Sequence, residues 1–212
     1  MNLSISLIAA DRKNGYITQS MAFLLTQIES WEKVPILSIC NVEDNIFDEL
    51  KLFTGKIQIY SINKDNNIAF DLTEDDGRLK KEANDYWNCL NAAYSSNHST
   101  DFILLIEDDA VPVPQPFYSE IFADTRFHFS SSAYITPSES CCTPGVLFRS
   151  ASIPSMLKYF KEQNVENGHA KDHILDESPF AGKATDFNYF VHIGHFSSVR
   201  QKVIPLESLL KN

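Results

Sequence analysis

Glu107-Asp108-Asp109 closes the apolar run Phe102-Ile103-Leu104-Leu105-Ile106 and is followed by Ala110-Val111-Pro112. An unbroken apolar run of this kind reads as a parallel strand buried on both faces, and residues just past its C-terminal end face the crevice where open α/β sheets bind ligands. Three crowded carboxylates repel one another and raise their own pKa values unless a cation sits among them. A divalent metal is the simplest way to keep them ionised. A solvated acidic turn is the plain alternative for the triplet taken alone.

Further groups could share that crevice. His192 lies at the end of the apolar run that finishes the chain's pattern, and Gly194 two residues later permits close backbone approach, so His192 is placed to complete a metal site begun by carboxylates. Arg12 and Lys13 follow the first apolar segment. Arg78, Lys80 and Lys81 open a helical pattern that continues through Asp85 on its expected exposed face. Cations at a helix N-terminus oppose the macrodipole, which makes sense if an anion is held between them. Asp172 and Asp176 fall at i, i+4 on one helix face, where either could serve as a general base. The string His192-Ile-Gly-His195 also spells a nucleotidyltransferase signature, but there it opens a helix after an early strand, whereas here it ends the pattern.

The elements that must position these residues follow from periodicity. Strands are expected over Leu3 to Ala9, Val34 to Cys40, Lys56 to Ser61, Phe102 to Ile106, Phe127 to Ile135, Val146 to Phe148 and Phe187 to Ile193. Helices are expected over Gly15 to Trp31, from Leu79 to Tyr94, and over Pro116 to Ala123, Ile153 to Gln163 and Lys171 to Asp176. Asn63 to Gly77, with Asp75-Asp76-Gly77 as a turn signal, reads as a surface loop. Strands alternating with helices give an α/β layer structure, a mostly parallel sheet flanked by helices. At 212 residues and 43% hydrophobic, one domain spanning residues 1–212 is expected.

Charge and composition exclude several classes. The net charge is −10, from 28 acidic and 18 basic residues, and without a basic stripe this argues against a nucleic-acid partner. No apolar stretch approaches the roughly 20 residues that span a bilayer, so no membrane segment is expected, and Met1 to Ile8 lacks the basic start of a signal peptide. The chain is then expected to be cytoplasmic, or carried by an anchor outside it. Cys40 and Cys89 sit on apolar faces and read as core, while the oxidation of Cys141 and Cys142 stays open. No P-loop, Gly-x-Ser-x-Gly elbow or Gly-x-Gly-x-x-Gly occurs, which removes the main support for P-loop nucleotidase, serine hydrolase and Rossmann dehydrogenase readings.

Taken in order, Arg78-Leu-Lys-Lys-Glu-Ala-Asn-Asp-Tyr86, Ile106-Glu-Asp-Asp-Ala-Val-Pro112, Asp172-His-Ile-Leu-Asp176 and Val191-His-Ile-Gly-His-Phe-Ser-Ser198 resemble stretches of GT-A glycosyltransferases. The likeness is to N-acetylglucosaminyltransferase IV and the Golgi enzyme that adds N-acetylgalactosamine to the glycosylphosphatidylinositol glycan. It implies a GT-A-like, Rossmann-like sheet and inverting transfer of a hexosamine from a UDP-sugar to a glycan acceptor. It implies a DxD-like motif in the triplet, with Mn²⁺ or Mg²⁺ on Asp109 and His192. Glu107 and Asp108 would contact the ribose or order the metal shell, and Arg78 and Lys81, with Arg12 and Asp85 in the same donor region, would bind the nucleotide diphosphate. Asp172 would be the base and Asp176 its reserve. The resemblance also implies a Golgi-lumen setting, although the membrane anchor of such enzymes has no counterpart in the sequence. A non-catalytic nucleotide-sugar-binding domain and a metal-dependent nucleotidyltransferase are the competing readings.

Overall fold

The computed structural model describes residues 2–29, 31–62, 70–97, 99–112, 135–137, 144–180, 183–185, 190–197 and 201–204. At its centre β1 (Leu3–Ala9) lies parallel to both β2 (Ile36–Asn41) and β4 (Phe102–Glu107). Beyond β2 runs β3 (Gln58–Ser61), also parallel. The far edge is β7 (Gly145–Arg149), antiparallel to β4, giving the order β3-β2-β1-β4-β7. Because the order reverses between β1 and β4, their C-terminal ends open a crevice at the topological switch point. Glu107 pairs in register with Ile8, so the acidic triplet emerges there beside Ala10 to Arg12.

Both sheet faces are covered, which accounts for the buried polar side of β1. Ile5, Leu7 and Ala9 face α1 (Tyr16–Ile28), which packs through Ile17, Met21, Leu24 and Ile28. Ser4 and Ser6 face the other way and are equally buried. Ser6 Oγ meets the Tyr60 hydroxyl at 2.5 Å, so this buried hydroxyl keeps a partner. On that second face lies α3 (Asp75–Ser96), with Tyr86, Trp87 and Leu90 buried against α4 (Ile153–Glu162). Trp87 stacks on Phe160 with ring centroids 4.3 Å apart. The short helix α2 (Asp48–Lys51) buries Leu50 against the α1 side.

The remaining strands are short. β5 (Ala110–Pro112) pairs antiparallel with β9 (Phe190–His192), and β6 (Ile135–Pro137) with β8 (Lys183–Thr185). α5 (Lys171–Glu177) follows α4. The expected helix over 116–123, strand residues 127–134 and Cys141 and Cys142 lie outside the described residues.

Three expectations are corrected. Asp75-Asp76-Gly77 forms the first turn of α3 and not the end of a loop. Its acidic residues suit the helix N-terminus, and a β-carbon on Gly77 would lie 1.8 Å from the Asp71 carbonyl oxygen, so glycine here serves close packing. Asp85 is buried instead of facing solvent. Cys40 and Cys89 are not merely core residues: they form a disulfide that ties β2 to α3. Among the described residues, no helix is long and apolar enough to cross a membrane.

Candidate active site

The β4–β5 connection holds the triplet in place. Ser20 on α1 donates its hydroxyl to the Asp108 carbonyl at 2.6 Å, and Gln27 donates to the Pro112 carbonyl at 3.1 Å. The β5–β9 ladder sets Ala110 opposite His192, and the Ile193 N–H donates to the Asp109 carbonyl at 2.8 Å. His192 is thereby delivered to the acidic turn by backbone pairing. Tyr16, at the start of α1, reinforces this. Its hydroxyl lies 2.7 Å from His195 Nδ1 and accepts the His195 N–H at 3.2 Å.

The carboxylates divide their oxygens in a consistent way. Glu107 Oε1 accepts from Lys171 Nζ at 2.7 Å, while Oε2 lies 3.5 Å from His192 Nε2. Asp109 Oδ2 accepts from Arg12 Nη1 at 2.5 Å, while Oδ1 lies 3.4 Å from His192 Nδ1. One oxygen of each residue is thus held by a basic side chain and the other faces the same imidazole. Glu107, Asp109 and His192 are the group among the described residues whose donor atoms lie within 4.8 Å of one another in a way that could hold a metal. Asp109 Oδ1 is buried without a hydrogen-bond partner. Two carboxylates and an imidazole, with a buried oxygen among them that makes no hydrogen bond, fit a hard or borderline divalent cation.

Asp108 is arranged differently. Its Oδ1 lies 3.1 Å from Arg12 Nη2, its Oδ2 accepts the Ala10 N–H at 3.3 Å, and it is almost fully buried. It anchors the turn to the end of β1, and burial pushes its carboxyl up despite Arg12. Burial alone would also raise Asp109, but His192 and Arg12 outweigh it and hold Asp109 low, at about 2. Burial likewise raises Glu107, with Lys171 opposing. It would depress His192, which Asp109 and Glu107 instead hold above its ordinary value. Mutual repulsion of the triplet is therefore relieved by Arg12, Lys171 and His192 distributed around it.

The other residues marked in the sequence are placed as follows. Arg78 donates to the Leu72 and Thr73 carbonyls at 2.7 and 3.0 Å and pairs with Asp75, so it ties the loop before α3 to that helix. Asp75 in the acidic first turn of α3 thus answers Arg78 locally. Lys81 pairs with buried Asp85 at 2.5 Å. Its neighbour Glu82 reaches Lys171 at 2.7 Å, so this turn of α3 borders the cluster. Asp172 Oδ1 lies 3.6 Å from Lys171 Nζ, and Asp176 is one turn further along α5, with Oδ2 buried and lacking a hydrogen bond. Lys171 carries no role in the sequence reading. Its signal was a lysine at the first position of a helix, where it opposes the macrodipole.

A mostly parallel sheet whose switch-point crevice is lined by carboxylates, a histidine and basic side chains is an architecture found in GT-A type glycosyltransferases. The model of the family "GPI-N-acetylgalactosamine transferase PGAP4" matches residues 3–133, more than half of the chain, and the chain belongs to that family. Among solved structures, that of S. aureus TarS 1–349 in complex with UDP-GlcNAc is 11% identical with a TM-score of 0.51, covering 99% of this chain and 63% of that one. A second structure of S. aureus TarS 1–349 is 13% identical with a TM-score of 0.46, covering 90% of this chain and 60% of that one. The galactosyltransferase LgtC with donor and acceptor sugar analogs is 12% identical with a TM-score of 0.44, covering 81% of this chain and 69% of that one. The chain therefore spans less than two thirds of the length of the TarS chains it resembles, and the first of these structures shows the shared fold.

Proposed function

We propose that residues 1–212 act as one catalytic domain that transfers a hexosamine, N-acetylgalactosamine or N-acetylglucosamine, from a UDP-sugar to a glycan hydroxyl with inversion. The observation that carries this reading is the convergence of Glu107, Asp109 and His192 at the switch-point crevice. The family's name supports an N-acetylgalactosamine donor, and the TarS complex supports a UDP-sugar in a fold of this kind.

Asp109 and His192, joined by Glu107, would hold Mn²⁺ or Mg²⁺, which would supply Lewis acidity toward the diphosphate of the leaving UDP. The chain's own residues supply positioning and proton transfer. Arg12 fixes Asp109, and Asp108 fixes the turn to β1. Lys81, on the α3 turn that borders the cluster, contributes a cation toward the nucleotide, while Arg78 shapes the loop before it. Asp172 takes the proton of the acceptor hydroxyl as its oxygen attacks the anomeric carbon. The bond from that carbon to the diphosphate oxygen breaks, and its electron pair departs with UDP. Asp176 is the reserve base. The buried Cys40–Cys89 disulfide favours an oxidising compartment such as the Golgi lumen over the cytoplasm.

The test is UDP release from UDP-GalNAc and UDP-GlcNAc, with and without Mn²⁺, using wild type and Asp109→Asn. Metal-dependent release that the variant loses supports transfer. Donor binding without turnover across a panel of glycan acceptors supports a non-catalytic domain, and pyrophosphate release from a nucleoside triphosphate supports a nucleotidyltransferase.

A further inference from the structure

Lys171 is the first residue of α5 and is only 5% exposed. Its ammonium lies 2.7 Å from Glu82 Oε1 on α3, 2.7 Å from Glu107 Oε1 on β4 and 3.6 Å from Asp172 Oδ1, its neighbour in sequence. It also sits 5.4 Å from the centroid of the buried Tyr86 ring. A buried lysine is strongly disfavoured unless opposite charges surround it, and here carboxylates from three elements do so. Burial alone would depress its pKa, but Glu107, Glu82 and Asp172 more than offset this and keep it charged.

Local structure gives no reason for a lysine at this point. It opposes the helix dipole, and α5 is a seven-residue helix whose N-cap, Ala170, makes no side-chain capping bond. So short a helix is unstable alone and depends on tertiary contacts for its position. The Lys171 ammonium is such a contact, and it joins α5 to the carboxylate that faces His192.

We propose that Lys171 is a positioning residue that sets two groups at once: it turns Glu107 so that Oε2 faces His192, and it fastens the first turn of α5, carrying Asp172, beside that cluster. This rests on the functional reading above for the roles of Glu107 and Asp172. Lys171 acts through these two carboxylates. Its own contacts already occupy the ammonium, which distinguishes it from a phosphate-binding lysine.

The experiment uses the full chain with Lys171→Met, Lys171→Gln and Lys171→Arg. Amide hydrogen exchange over residues 171–177 reads the tether without any metal, and electron paramagnetic resonance of Mn²⁺ reads the metal site without turnover. In Lys171→Met, exchange in α5 is expected to quicken at least tenfold, and Mn²⁺ affinity to weaken about 10- to 100-fold, the range found when residues that orient metal ligands are removed. Lys171→Arg recovers most of both. If Lys171→Met does not fold, Lys171→Gln, which keeps a neutral hydrogen-bond donor, is read against wild type in the same way. Exchange and Mn²⁺ affinity within twofold of wild type in the neutral variants would overturn the proposal, as would an arginine variant no better than the neutral ones. Absence of Mn²⁺ binding by wild type overturns the functional reading instead, and the exchange comparison then decides the tether alone.

Discussion

Gly194 lies so close to Asp109 that a β-carbon on the glycine would stand 2.1 Å from Asp109 Oδ2, the oxygen that Arg12 holds. That contact is closer than any real side chain allows, so Gly194→Ala must displace the carboxylate or the β9 segment. The expected result is a folded protein destabilised by about 1 to 3 kcal/mol, the usual cost of overpacking. Mn²⁺ affinity should fall together with UDP release. Thermal unfolding and Mn²⁺ titration check this, and an alanine variant with unchanged metal affinity would show that Asp109 needs no such clearance.

Arg12 grips both Asp108 and Asp109 through one guanidinium. Removing it leaves buried Asp108 without its cation and Asp109 with His192 alone, so Arg12→Gln should cost about 3 to 5 kcal/mol of folding stability. Lysine restores the charge but not the planar fork that reaches two carboxylates together, so Arg12→Lys should fall between glutamine and wild type. Urea unfolding of both variants measures the order. Equal stability of wild type and Arg12→Gln would mean that the carboxylates take up protons or water at little cost.

The five strands of the central sheet and the placement of the triplet were legible because apolar residues ending in charge have few structural solutions at a sheet's C-terminal edge, whereas β5 and β8, three residues each, carry too short a pattern to mark them. His192 was also marked, since it ends an apolar run and is followed by Gly194. The division of oxygens around it was not legible, because Arg12, Lys171 and His192 reach the triplet from distant segments through tertiary packing. Cys40 and Cys89 looked like core residues for a simple reason: bonded and free cysteines occupy the same buried, apolar-face positions, and nothing in a 49-residue separation marks the pair. Gly77 misled as a turn signal because its missing side chain serves the packing of Asp71 against α3, not a reversal of the chain.

The disulfide carries its own prediction. Cross-linking β2 to α3 closes a loop across 49 positions, which by chain entropy alone is worth about 4 kcal/mol against the unfolded state. Cys89→Ser should therefore lower the melting temperature while leaving the geometry of the triplet in place, since the bond lies in the core and not in the crevice. Peptide mapping under non-reducing conditions should recover residues 40 and 89 in one linked product. Separate thiol-bearing peptides from protein made in an oxidising compartment would remove both the bond and the preference for that compartment.

Asp172 and Asp176 differ in one respect that separates their candidate roles. Asp172 stands next to the ammonium that also holds Glu107, whereas Asp176 is a turn further along α5. A base that acts only on the acceptor hydroxyl stabilises the transition state without contributing to donor binding, so Asp172→Asn should reduce kcat by at least a hundredfold, within the range of general-base contributions, while KM for the UDP-sugar changes little. Asp176→Asn should leave more activity than Asp172→Asn. Steady-state kinetics with donor and acceptor varied separately distinguishes the cases. Parallel loss of donor binding and turnover in Asp172→Asn would assign that carboxylate to holding the donor, and a larger kcat defect in Asp176→Asn would move the base one turn along the helix.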